Sequence, residues 1–78
     1  MNDVNSMQPS PVHFHGHTIQ FVQFQRLPNT EFIAAVASID PPTSSIGPDL
    51  ALGLGIRKEA AQRNALVRAK DRIRTSEA

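Results

Sequence analysis

Leu50-Ala51-Leu52-Gly53-Leu54-Gly55-Ile56 runs without a break into Arg57-Lys58-Glu59-Ala60-Ala61-Gln62-Arg63-Asn64-Ala65, and the change of period between the two decides the fold. Up to Ile56, large aliphatics alternate with small residues, the period-two pattern of a strand, here shortened and flattened by its glycines. From Arg57 to about Arg74 there is no Gly or Pro, and Ala, Arg, Lys, Gln and Glu, all good helix formers, dominate. Ala61, Ala65, Ala69 and Ile73 recur every four residues with Leu66 beside them, so the helix carries one narrow apolar stripe. Alanine in that stripe lets a helix lie close on a sheet.

The sheet must come from the residues before this unit. Asp40-Pro41-Pro42-Thr43-Ser44-Ser45-Ile46-Gly47-Pro48-Asp49 holds three prolines and a glycine, so neither ladder nor helix runs through it, and it reads as a long loop. Before it, Glu31–Ile39 puts Phe32, Ala34 and Val36 on one face and Ile33, Ala35, Ala37 and Ile39 on the other, as in a central strand covered on both sides. Leu27-Pro28-Asn29-Thr30 is a turn: Pro28 presets φ and Asn29 tolerates the left-handed region. From His13 to Arg26, β-branched and aromatic residues interleave with glutamines, which reads as a first strand. Its alternation slips, because Ile19 and Phe21 share one face while Val22 and Phe24 share the other; a bulge between Phe21 and Val22 reconciles them.

These readings assemble an α+β fold in β-β-β-α order, a three-stranded, largely antiparallel sheet with one C-terminal helix packed on one face. Residues 1–12 read as a disordered polar arm, 13–74 as the single domain and 75–78 as a frayed end. One helix cannot cover both sheet faces. The second strand is apolar on both sides and the third offers small residues on one of its own, so an uncovered, flat, apolar face is expected, with Phe32, Ala34, Val36, Ala51 and Gly53 as interface residues.

The chain resembles a group of short proteins from Gram-negative bacteria that carry an aromatic-x-Gly element before a hairpin, then a long loop, then an Ala-x-x-x-Ala-x-x-x-Ala helix. The matching residues are Phe14-x-Gly16 with Ile19 and Phe21, and Glu59-Ala60-Ala61, Ala65, Ala69 and Ile73, so the likeness spans residues 13–74. Members often open the helix with Thr or Asp followed by acidic residues, where this chain has Arg57-Lys58, a poor match to the positive end of the helix dipole. The resemblance implies the fold and carries no activity.

Composition removes several function classes. The chain has 78 residues, 40% of them apolar and 19% charged. A domain of this size buries only about 60% of its unfolded surface, too little to enclose a deep private active site. The absence of Cys removes disulfides, thiolate metal sites and thiol nucleophiles. Neither a signal peptide nor an apolar run of membrane-spanning length is present, so a cytoplasmic protein is expected.

Four constellations bear on chemistry. His13-x-His15-x-His17 can chelate a metal through an i, i+2 pair, although a straight strand holds the outer two roughly 13 Å apart and only a bend at Gly16 would gather all three. Gly53-x-Gly55 ahead of Arg57 and Lys58 can offer backbone N–H groups and cations to an anion, but it lacks the remaining residues of a dinucleotide or P-loop fingerprint. Residues 57–74 hold Arg57, Lys58, Arg63, Arg68, Lys70, Arg72 and Arg74 against Glu59 and Asp71, a basic helix that can contact nucleic-acid phosphates weakly and without sequence preference, chiefly through Arg57, Lys58, Arg68 and Arg72. Against this stand a net charge of +1 and the lack of Tyr or Trp to stack on bases. For catalysis, all three histidines crowd one stretch and no base lies near Ser44 or Ser45 in sequence. The expectation is therefore a non-catalytic interaction module without a cofactor, a small-molecule substrate or a membrane role. It forms a homodimer or docks a protein partner through the open sheet face, with nucleic-acid binding through the helix as the alternative.

Overall fold

Gln20, Gln23 and Gln25 decide which side of the sheet faces water, and the rest of the fold follows from the strand that carries them. In the computed structural model, which describes residues 9–45 and 47–77, four strands pair antiparallel in the order β1-β2-β3-β4. They are β1 (Val12–Phe14), β2 (His17–Arg26), β3 (Ile33–Asp40) and β4 (Leu50–Gly55), and α1 (Lys58–Glu77) follows them. On β2 the glutamines are exposed while Ile19 and Phe21 are buried. The β2–β3 register then sets Ile39 beside Ile19, Ala37 beside Phe21 and Ala35 beside Phe24. The β3–β4 register continues that face through Ala51, Gly53 and Gly55, and α1 covers it with Ala61, Ala65, Ala69 and Ile73, all buried.

The expected three strands become four. The first expected strand is broken by a two-residue turn at His15-Gly16, both with positive φ (50° and 82°), which folds β1 back on β2 with Phe14 opposite His17. Two consecutive left-handed residues are the mark of the hairpin turn whose twist matches that of the strands; Gly adopts it freely and His more readily than β-branched residues do. Two boundaries move as well. The domain begins at Val12, within the expected arm, of which residues 1–8 lie outside the described residues. Instead of fraying from Thr75, α1 continues to Glu77, with the Ser76 hydroxyl donating to the Ile73 carbonyl (2.8 Å) and the Glu77 carboxylate 2.8 Å from His15 Nδ1; Ala78 lies outside the described residues.

Two local readings hold. The β2–β3 register shifts between Phe21 and Gln23, so Val22 is the extra residue of a bulge. The bulge returns Phe24 to the side of Phe21, their rings stacked with centroids 6.1 Å apart. At Leu27-Pro28-Asn29-Thr30, Asn29 has φ 60° and the Thr30 amide donates to the Leu27 carbonyl (3.3 Å), the pattern of a type II turn.

Gly53 and Gly55 set the depth of the helix. A Cβ on Gly53 would lie 2.5 Å from the Ala61 carbonyl oxygen, and one on Gly55 would lie 2.5 Å from the Ala61 amide nitrogen. The helix backbone therefore rests directly on the strand backbone, while Ile19, Phe21, Ile39 and Ile73 fill the deeper space beside it. Gly53→Ala must push α1 outward. Overpacking of this kind costs about 1–3 kcal/mol or more, so chemical denaturation should show a clear loss of stability, whereas Leu54→Ala, on the exposed face of the same strand, should change the stability of the isolated chain by less.

Candidate functional site

Three rows of side chains, set by strand register, form the uncovered face. Gln25, Ala34 and Leu54 make one row, Gln23, Val36 and Leu52 the next, and Gln20, Ser38 and Leu50 the third. The surface is thus amide-bearing over β2 and aliphatic over β3–β4. Leu50, Leu52 and Leu54 are 45%, 55% and 49% exposed, and Ile56, just past the strand, 62%. No charged side chain stands in any of the three rows. Phe32 and Val22, both about half exposed, extend the apolar surface at its margins.

Part of the expected interface is corrected here. Ala34 and Val36 lie on the open face, half buried, with Phe32 at its end. Ala51 and Gly53 do not: they pair with Ala37 and Ala35 on the opposite face, under α1. The physical reason is the close helix approach, which only the small-residue side of β4 permits, so the leucines are left facing outward.

The outer edge of β4 is closed at two points by α1. The Asn64 amide nitrogen donates to the Leu54 carbonyl (2.5 Å), and an Arg72 guanidinium nitrogen donates to the Leu50 carbonyl. The same Arg72 nitrogen lies 2.6 Å from an Asp49 carboxylate oxygen, whose other oxygen accepts from the Thr43 amide (2.8 Å) and hydroxyl. Asp49 is nearly buried and ties the long loop, the start of β4 and the helix together. Helix side chains satisfying edge carbonyls leave fewer groups for another strand to pair with.

The other candidate residues are dispersed. His13 sits opposite Thr18, its Nδ1 3.3 Å from that hydroxyl; His15 faces Glu77; and His17 Nδ1 lies 2.6 Å from the Pro41 carbonyl oxygen. The hairpin turn separates them, and among the described residues no group of three or more His, Asp or Glu is placed to hold a metal ion. Four of the seven basic residues at positions 57–74 have partners within the chain, and Arg63 is exposed. Lys58 lies over the Phe24 ring (4.6 Å), Lys70 and Arg74 over the Phe14 ring (5.3 and 5.2 Å), and Arg72 is engaged with Asp49. Arg57 and Arg68 are exposed but lie 11 positions apart, roughly 16 Å along a helix at 1.5 Å per residue. Gly53 and Gly55 are buried against Ala61 and Ala65 and serve the helix contact.

A groove of about 690 Å³ runs along β4, lined by Leu27, Ala34, Leu52, Leu54, Asn64, Val67 and Arg68. It holds no carboxylate or imidazole to act as an acid or base. No described helix is long and apolar enough to cross a membrane. No family model matches this chain, and neither a curated protein nor a solved structure does.

Sequence reasoning missed the Asp49–Arg72 tie and the placement of the leucines. The latter was recoverable, because the glutamines of β2 mark the wet face and β4 had only to be set in register. Asp49 supplies a pH test. Burial raises its pKa, but the Thr43 hydroxyl and amide and the Arg72 guanidinium together outweigh that and hold it below the ordinary carboxylate value. Its contribution to stability is therefore complete above the unfolded-state value of about 4 and is lost as pH falls through the lowered folded one. Thermal melts should show wild type more stable than Asp49→Asn by a constant margin above about pH 5, narrowing below about pH 4.

Proposed function

We propose that the domain is a non-catalytic interaction module that docks a protein surface through the open face of its sheet. One observation carries this reading: Leu50, Leu52 and Leu54 stand 45–55% exposed beside Val36 in three uncharged rows of the open face, and Ile56, 62% exposed, follows just past the strand. A half-exposed leucine gives up about 1 kcal/mol of available burial, and four together in a small domain form the kind of contiguous apolar patch that marks a docking site. The amide groups of Gln20, Gln23 and Gln25 beside them supply the polar margin that interfaces carry around an apolar centre. Anionic partners such as nucleic acid have no cation to meet in these three rows.

Hydroxyl-radical footprinting tests the reading without a named partner. Oxidation of Leu50, Leu52, Leu54 and Ile56 should fall severalfold between dilute purified protein and the same protein in concentrated cell extract. His15, about half exposed at the β1–β2 turn and at the sheet edge opposite β4, is the internal reference and should not change. Equal oxidation of the four aliphatics in both conditions overturns the proposal.

A further inference from the structure

We infer that the partner this face fits is a second copy of the chain, packed sheet to sheet about a two-fold axis that crosses the strands at the Gln23–Val36–Leu52 row. The inference rests on the docking reading above and names its occupant. Three features of the surface lead to it.

The first is charge. A two-fold axis lays the row it crosses on itself, so a charge there would meet its own sign, and a charge in either outer row would be buried against an uncharged side chain. These rows, from Gln20 to Gln25, Ala34 to Ser38 and Leu50 to Leu54, contain no charge.

The second is area. Strands about 4.8 Å apart and rising about 3.3 Å per residue make the face over β2–β4 roughly 14 Å by 20 Å in plan, a small interface below the standard of about 800 Å² accessible surface per partner, which a second copy covers in full. A single docked strand would cover only the aliphatic half. An axis parallel to the strands would either superimpose leucines on glutamines or cover half the face. An axis across the strands keeps every strand over its own copy. Leu52 meets Leu52, Val36 meets Val36, and Gln23 meets Gln23 across the axis. Leu54 of each copy lies over Leu50 of the other, Ala34 over Ser38, and Gln25 over Gln20. The leucines and Val36 are buried against aliphatic side chains, Ala34 against the small Ser38, and the amides, each both donor and acceptor, pair with amides.

The third is the edge. Joining two sheets through β4 would need its outward backbone groups, those of Leu50, Leu52 and Leu54. The Leu50 and Leu54 carbonyls are already bonded to Arg72 and Asn64 of the same chain. Face packing leaves these bonds and α1 untouched, with the helices on the outside of a four-layer assembly.

The chain has no Cys, so single-cysteine variants report geometry cleanly. Light scattering over a concentration series should move the mass from 8.5 kDa to twice that, and Leu52→Gln should raise the dissociation constant at least about tenfold. Gln23→Cys should then cross-link to itself with a short bismaleimide, because packed sheets lie about 10 Å apart, whereas edge pairing through β4 separates the two β2 strands by about 24 Å. Arg63→Cys, at an exposed position of α1 outside the groove, should not cross-link. A dimer that cross-links through Gln23→Cys supports the inference. A dimer that does not, or one insensitive to Leu52→Gln, overturns it. A monomer at every concentration overturns it too, and if footprinting still shows the four aliphatics protected in extract, the docking reading stands with a different protein as occupant.

Discussion

The contact between Gly53 and Gly55 on β4 and the Ala61–Ala65 turn of α1 is the constraint on which the rest of the structure depends. It brings two backbones together with no side chain between them. A helix held that close over β4 leaves a wedge over β2, which Phe21, Ile19 and Ile73, the largest fully buried side chains, occupy. Small residues at one edge and large ones at the other thus tilt the helix on the sheet. The same contact exposes the leucines, since alternation on a strand sends Leu50, Leu52 and Leu54 to the side opposite the glycines.

Stability and surface chemistry are therefore two faces of one strand. On its inner side β4 adds little apolar volume of its own, and the core relies on close approach. On its outer side it presents Leu50, Leu52 and Leu54, each about half exposed. The Asp49–Arg72–Leu50 link holds the start of that strand in place by polar bonds from loop and helix, outside the apolar core. Arg72, which charge pattern alone would assign to an anion, is taken up by this internal role.

Much of the fold could be read from local pattern, and the particular residues show why. Asn29 after Pro28 specifies its turn by backbone preference, and the slip between Phe21 and Val22 specifies a bulge because side chains alternate strictly along a strand. The four-residue repeat of Ala61, Ala65, Ala69 and Ile73 specifies both helix and buried stripe. The His15-Gly16 turn escaped because histidine is a less common occupant of a left-handed position than asparagine or glycine, so a hairpin passed for one long strand. The end of α1 escaped because its partner there, His15, is 62 residues away in sequence.

The candidate site divides in the same way. By itself the sequence determined that two apolar strand faces exist, that one helix can cover only one of them, and that no thiol is available. These conclusions depend on composition and on periods of two and 3.6, which any short window displays. Which face stays open was decided only by tertiary structure, because it requires the register of three strands at once and the steric fact that a helix backbone can rest on glycine and not on leucine. The fate of the charges and histidines was decided at that level too: whether Arg72 meets solvent or Asp49, and whether three nearby histidines converge or part, depends on how residues distant in sequence are brought together.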